Sequence, residues 1–239
     1  MNIALLGYGK MGKVIEKIAI DRGHSIILKV GKNTADYDIT KVDIAIDFSI
    51  PSAAVSNIST CLNHNIPVVS GTTGWLDDYD SIVELCNEKK GAFIYASNFS
   101  LGVNVFFELN KTLAKMMRRL KQYNVSMEEI HHTQKLDAPS GTAISLTNDI
   151  IEHTDYTDWK LIDSESGDEL SNNIIPIEAK RIEKVPGTHI INYQSEVDTI
   201  SIEHVAHSRH GFALGAVIAA EWLLGKVGVY SMNDVLNIG

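Results

Sequence analysis

Over the first hundred residues, short apolar runs alternate with stretches whose apolar positions recur at helical spacing. Asn2-Ile3-Ala4-Leu5-Leu6 is the first run and stops at Gly7. Val14, Ile15, Ile18 and Ala19 follow at the spacing of an amphipathic helix. Residues 24–30, 42–48, 66–70 and 92–95 read as further strands, and 51–63 and 76–89 as further helices. Pro51 opens the first of these helices at a position where proline is tolerated. Strands alternating with helices predict a doubly wound, mostly parallel sheet.

The rhythm changes after about residue 101. A long helix pattern at 103–121 leads to a strand at 123–130, and another helix starts near Ser140. Three strand-like runs follow, at 174–183, 189–194 and 199–205, before a last helix at 212–224. Successive strands with no helix between them predict a mixed or antiparallel sheet. The expected fold class is therefore α/β: an N-terminal Rossmann doubly wound parallel sheet plus an α+β domain with a mixed open sheet. The polar stretch 154–173 reads as surface, with the character of a linker.

Composition narrows the function. A length of 239 residues suits one large or two modest domains, and 44 % hydrophobic residues suffice for a core. A net charge of −9 argues against nucleic acid, whose phosphates need basic faces, but not against a small anion, because local charge decides that. Cys61 and Cys86 lie in apolar-patterned helices without metal-ligand spacing, as expected of structural thiols in a reducing compartment. Residues 1–9 lack a basic leader, and 212–224 is interrupted by Glu221 and shorter than the ~20 residues of a membrane span. A cytoplasmic protein without a membrane partner is expected.

Gly7-Tyr8-Gly9-Lys10-Met11-Gly12 fits GxGxxG between a strand and a helix, the setting in which the motif binds a dinucleotide. Gly7 permits the tight turn, Gly9 the approach of the pyrophosphate, and Gly12 close helix–strand packing. The free amides of the helix start then face the phosphates. The next strand should end in a carboxylate for the ribose, yet Gly31, Lys32 and Asn33 stand there. Lys32 is placed to meet a 2′-phosphate, so the cofactor is expected to be NADPH or NADH with a tilt toward NADPH. Two more loops at strand ends join the cofactor set: Gly71, Thr72 and Thr73, with small residues and hydroxyls, and Ala96, Ser97, Asn98 and Phe99, with an amide side chain able to bond a carboxamide.

The second candidate site runs from Glu129 to Thr142. His131, His132 and Lys135 gather a proton donor and cations near a strand end. Pro139-Ser140-Gly141-Thr142 reads as a helix start able to hold a carboxylate.

The run His131-His132-x-x-Lys135-x-Asp137-x-Pro139-Ser140-Gly141-Thr142-Ala143 resembles the signature of the dihydrodipicolinate (4-hydroxy-tetrahydrodipicolinate) reductase family. Gly7–Gly12, Asp47-Phe48-Ser49, Gly71–Gly74, Asn98–Asn104 and Ser208-Arg209-x-x-Phe212-Ala213-x-Gly215-Ala216-Val217 are similar too, in the family's order along nearly the whole chain. The resemblance implies hydride transfer from a nicotinamide to the dehydrated hydroxy-tetrahydrodipicolinate ring, giving tetrahydrodipicolinate for diaminopimelate and lysine synthesis. It implies that His131 is the general acid/base and Lys135 a second proton donor. His132, Ser140, Gly141 and Thr142 fall at substrate-carboxylate positions. Gly7–Gly12, Gly71–Thr73 and Ala96–Phe99 fall at cofactor positions. It also implies a homotetramer built through the second domain's sheet, with 1–101 and 213–239 forming the dinucleotide-binding domain and 102–212 the substrate-binding and oligomerisation domain. Gly31 replaces an acid the family often carries, and the stretch between Gly31 and Val42 is short.

Other features fit less well. His204, His207 and His210 recur every three residues, but no cysteine or carboxylate completes a zinc set, and no metal is expected. Arg118, Arg119 and Lys121 read as a solvated helix face. Pro186-Gly187-Thr188-His189 lies where the family has a turn near the active site and reads as support for closure over the cofactor. The competing readings are another small NAD(P)-dependent dehydrogenase and a nucleotide-sensing regulator. Neither gives His131 and Lys135 a joint purpose.

Overall fold

The structure, a computed structural model, describes residues 1–32, 34, 37–163 and 171–238. In chain order the elements begin with β1 (Asn2–Leu6), α1 (Lys10–Asp21), β2 (Ser25–Val30), β3 (Ile44–Asp47), α2 (Pro51–Asn63), β4 (Val68–Ser70), α3 (Tyr79–Lys89) and β5 (Ala92–Tyr95). They continue with α4 (Leu101–Met117), β6 (Asn124–His131), α5 (Gly141–His153), β7 (Asp158–Ile162), β8 (Ile174–Arg181), β9 (Gly187–Gln194) and β10 (Thr199–Ala206). The last three are α6 (His210–Leu223), β11 (Gly228–Tyr230) and α7 (Met232–Leu236). Two compact units result: Met1–Asn104 with Arg209–Gly239, and Val105–Ser208.

The first unit is built on a parallel six-stranded sheet in the order β11-β5-β4-β3-β1-β2. Side-chain alternation explains its double winding. Ile3 and Leu5 of β1, Ile44 and Ile46 of β3 and Ile94 of β5 join Ile15 and Ile18 of α1 and Ala216, Ala220 and Leu223 of α6 in one core. The intervening Ala4, Leu6, Ala45 and Phe93 join Ala54, Ile58 and Leu62 of α2 and Ile82 of α3 in the other. Strands buried on both faces need continuous apolar runs, which is why these segments lack polar alternation. The chain order reverses between β1 and β3, and in open α/β sheets ligands collect at the carboxyl ends of strands at such a switch point.

The second unit has a mixed five-stranded sheet, β10-β9-β6-β8-β7. β6 is parallel to β8 and antiparallel to β9. One face buries Val125, Met127, Ile175, Ile177, Ile191 and Tyr193 against Phe106 and Ala114 of α4 and Leu146 and Ile150 of α5. Asn110 of α4 is fully buried and donates from Nδ2 to the Leu146 carbonyl at 2.9 Å.

Several boundaries differ from the expectation. The stretch expected to be polar surface at 154–173 contains β7, an edge strand parallel to β8; residues 164–170 lie outside the described residues, as do Asn33, Ala35 and Asp36. The long helix ends at Met117 rather than 121, because the Leu120 amide bonds back to the Met117 carbonyl at 2.8 Å in a tightened turn. β11 and α7 were not expected, being only three and five residues long. Cys61 and Cys86 are buried, unpaired thiols. No described helix is long and apolar enough to cross a membrane.

Candidate active site

In the first unit the glycine turn follows β1 and is anchored to β2: the amides of Gly7 and Tyr8 both donate to the Val30 carbonyl at 2.9 Å. Gly7 has φ +97, and a Cβ there would lie 2.1 Å from the Phe48 carbonyl oxygen. A Cβ on Gly12 would lie 2.6 Å from the Gly7 oxygen, so these two glycines serve the packing of the turn. Gly9 is different. It caps α1 without a side-chain hydrogen bond, and a Cβ there meets nothing within 4 Å. The first-turn amides of Lys10, Met11 and Gly12 have no acceptor within the helix, as at any helix start. Open space at Gly9 beside these donors fits the diphosphate of a dinucleotide.

The loops after β3, β4 and β5 converge on Phe48. A Cβ on Gly71 would lie 2.4 Å from the Phe48 ring, and the Phe99 ring centroid is 5.7 Å from that of Phe48. Beneath them Asp47 is fully buried and accepts from Asn57 Nδ2 at 2.9 Å, Ser70 Oγ at 2.9 Å and Thr72 Oγ1 at 2.7 Å. Thr72 Oγ1 also accepts from the Ser49 amide at 2.8 Å. The side chains of Thr72 and Phe99, singled out as cofactor contacts, are thus buried in the packing that holds these loops. Asn98 Oδ1 accepts from the Ser100 amide at 2.9 Å. Thr73 and Ser97 are exposed, as is Lys32 in the turn after β2. Beside the glycine turn, Lys29 lies over the Tyr8 ring at 4.9 Å and pairs with Glu16, which also accepts from the Tyr8 hydroxyl. The hydrogen bond from Lys29 holds the Glu16 carboxyl below its ordinary range.

In the second unit, strand periodicity builds the other constellation. Val125, Met127, Glu129 and His131 occupy one buried face of β6, so the alternation that places two core residues also buries an acid and a histidine. β8 sets Arg181 opposite His131, and β9 sets His189 opposite Glu129. Glu129 is wholly buried. Arg181 Nη2 donates to its Oε1 at 3.2 Å, and the Ser140 amide donates to its Oε2 at 3.0 Å. His131 Nδ1 lies 3.5 Å from Oε2, and His189 Nε2 lies 3.9 Å from it. The two rings meet edge to face with centroids 5.1 Å apart.

Ser140 caps α5. Its Oγ accepts from the Ala143 amide at 3.2 Å and is 3.1 Å from His189 Nε2. The Gly141 and Thr142 amides are first-turn donors. Lys135 Nζ donates to Asp137 Oδ2 at 2.6 Å, and this bond holds the Asp137 carboxyl below its ordinary range. Arg181 fastens that loop by donating to the Lys135 carbonyl at 3.3 Å and the Asp137 carbonyl at 2.7 Å.

Burial pushes His189 down to about 3, so it is neutral near pH 7 and its approach to Glu129 is not an ion pair. Burial also lowers His131, against the opposing pull of Glu129, while Lys135, Arg181 and His132 push the same way as burial. Glu129, His131 and His189 each place one donor atom within 4.8 Å of the others, a set of metal-ligand types. Arg181 already offsets the charge of the carboxylate in this cluster. His204 lies beside Phe106, with ring centroids 5.9 Å apart.

Sequence reasoning singled out His131, His132, Lys135 and Ser140 but missed Arg181, and it took His189 only as part of a turn. The available signal was Glu129: an acid on a core-facing strand position requires a buried partner.

The fold and these residues define a class: a Rossmann-type α/β protein with a second, mixed-sheet unit carrying a buried carboxylate–histidine centre beside an open helix start. Models of dihydrodipicolinate reductase match the chain, the N-terminus over residues 1–99 and the C-terminus over residues 102–236. The chain belongs to the dihydrodipicolinate reductase family. It is 56 % identical over 240 residues to the 4-hydroxy-tetrahydrodipicolinate reductase of Christiangramia forsetii, covering 99 % of this chain and 98 % of that one. It is 34 % identical over 241 residues to the enzyme of the same name from Thermosipho africanus, again covering 99 % and 98 %. Among solved structures, dipicolinate-bound dihydrodipicolinate reductase from Paenisporosarcina sp. TG-14 shares the fold, with a TM-score of 0.76, 22 % identity and 97 % of each chain covered.

Proposed function

We propose that the chain is an NAD(P)H-dependent oxidoreductase that reduces 4-hydroxy-tetrahydrodipicolinate, by way of its dehydrated form, to tetrahydrodipicolinate in diaminopimelate and lysine biosynthesis. Its whole-length likeness to reductases of that name supports the reading. The observation that carries it is the grouping in one unit of His131, Lys135 and the open start of α5, held by Glu129 and Arg181.

The first unit binds the cofactor, with the amides after Gly9 on the diphosphate and the 71–73 and 96–99 loops toward the nicotinamide half. Thr72 and Phe99 contribute there through backbone, since their side chains are buried. When bound, the nicotinamide supplies hydride to the substrate ring. His131 delivers a proton to the electron-rich ring that results, a role that typically contributes about 10²–10⁴-fold. Lys135 exchanges Asp137 for the substrate and serves as second donor. His132 and the Gly141 and Thr142 amides hold substrate carboxylate, and Ser140 fixes that helix start as its cap.

Lys32 tilts the preference to NADPH; Lys32→Ala is expected to lower the NADPH/NADH efficiency ratio, and an unchanged ratio removes this role. The sheet face bearing Glu128, Ile130 and Val205 joins chains into a homotetramer in the cytoplasm; light scattering at the mass of one 26.3 kDa chain contradicts the assembly. The central test supplies the aldol product of pyruvate and aspartate semialdehyde and follows nicotinamide absorbance. Oxidation above background is expected, and its absence rejects the reductase reading.

A further inference from the structure

Glu129 has no role in the assignments above beyond holding its neighbours, yet its surroundings are more specific than a core position needs. A lone carboxylate in a protein interior is costly, and here each oxygen has its own donor on a different element: Arg181 of β8 on Oε1, the Ser140 amide at the start of α5 on Oε2. Those two bonds fix the plane of the carboxylate. The same Oε2 faces His131 Nδ1 at 3.5 Å. That nitrogen is buried and has no hydrogen-bond partner among the described residues. The other ring nitrogen, Nε2, lies against Gly187, where a Cβ would stand 3.0 Å away. One nitrogen of His131 therefore lies beside a fixed anion, and the other against a residue without a side chain.

We propose that Glu129 is the positioning residue of the proton donor: aimed by Arg181 and the Ser140 amide, it keeps a proton on His131 Nδ1 and leaves Nε2 as the nitrogen that exchanges its proton with substrate. This rests on the reading of His131 as the acid. A carboxylate that orients an imidazole fixes its tautomer and stabilises the protonated ring without taking the proton itself. The same bonds tie the donor to the anion cradle, because the Ser140 that donates to Glu129 also caps α5 and contacts His189 Nε2 at 3.1 Å.

The charged groups facing His131 come from every element around it: Glu129 on β6, Arg181 on β8, and Lys135 and His132 on the loop after β6. His189 on β9 is neutral. Burial, Lys135, Arg181 and His132 favour neutral imidazole, and Glu129 alone opposes them. Removing its charge lowers the pH at which His131 takes up a proton.

The experiment is an NMR titration of the His131 ring in the intact protein, assigned with His131→Gln, beside the pH profile of kcat. Glu129→Gln keeps the shape and the acceptor for Ser140. It is expected to shift the His131 titration down by about one pH unit, tenfold in proton affinity, and the kcat profile with it, while KM moves little. An unmoved titration in folded Glu129→Gln overturns the proposal. If that variant does not fold, Glu129→Asp, which draws the carboxylate back by one methylene, decides: a downward shift supports the proposal, and no shift or an upward one overturns it. Failure of the wild-type chain to turn over the substrate would instead reject the reductase reading, and the ring titration is read independently of turnover.

Discussion

Gly9→Ala and Gly7→Ala add the same methyl group two residues apart and are expected to fail in opposite ways. Gly9 has φ −94, and a Cβ there meets nothing within 4 Å, so the folded protein gains neither strain nor clash. Its stability is expected to stay within about 0.5 kcal/mol of wild type, the range of substitutions away from special features. Gly7 has φ +97 and would set a Cβ 2.1 Å from the Phe48 oxygen. The left-handed backbone costs an L-residue roughly 1–2 kcal/mol, and forcing the neighbouring strand end aside adds about 1–3 kcal/mol. A chain of this size loses about 2–4 °C in Tm per kcal/mol, so the penalty of roughly 2–5 kcal/mol corresponds to a drop of about 4–20 °C. Binding inverts the order. The methyl on Gly9 occupies the space assigned to the diphosphate and breaks at least one amide–phosphate bond, worth roughly 1.5–3 kcal/mol, or about 10–150-fold in Kd. Thermal melts with and without NADPH, together with fluorescence titration of the cofactor, read both quantities on the same samples. Cofactor affinity in Gly9→Ala equal to wild type refutes the cradle, however well that variant folds.

Two further expectations concern buried polar groups. Asp47→Ala strands the Asn57, Ser70 and Thr72 donors, at about 1–3 kcal/mol for each that finds no substitute. A loss of roughly 3–6 kcal/mol in urea unfolding is expected, and a loss under about 1 kcal/mol would show that the network relaxes freely. His189 sits at about 3 when folded, against an ordinary value near ~6.5 in the unfolded chain, so between these values the unfolded chain binds the extra proton. Its contribution to stability is full above about pH 6.5 and is lost as pH falls toward 3. The advantage of wild type over His189→Gln in urea unfolding should shrink on acidification; a gap that widens contradicts the sign.

The parallel sheet was legible because strands buried on two faces leave continuous apolar runs, and α1 follows with a clear helical stripe, while α6 stands out as apolar nearly all round. β7 was not. As an edge strand it exposes Asp158, Lys160 and Leu161, so its pattern reads as surface. β11 needs only three residues because its partner β5 supplies the register. The stretch around His131 drew notice because several reactive side chains are close in sequence. Arg181 and His189 did not, since they reach Glu129 only through strand register with β8 and β9, some fifty to sixty residues further along. Thr72 and Phe99 show the converse difficulty. A loop at a strand end looks ligand-facing in sequence, but whether its side chains point outward depends on what lies beneath, here Asp47 and Phe48.

The first unit is interrupted: residues 1–104 are completed only by residues 209–239. α6 contributes Ala213, Ala216, Val217, Ala220 and Leu223 to the face of the sheet that it shares with α1, and β11 adds an edge strand. During translation, therefore, the intervening residues 105–208 leave the ribosome while the segment before them still lacks α6 and its edge strand β11. Nucleotide affinity should emerge last in biosynthesis, and a nascent chain stalled before residue 209 is the form most exposed to proteases and chaperones.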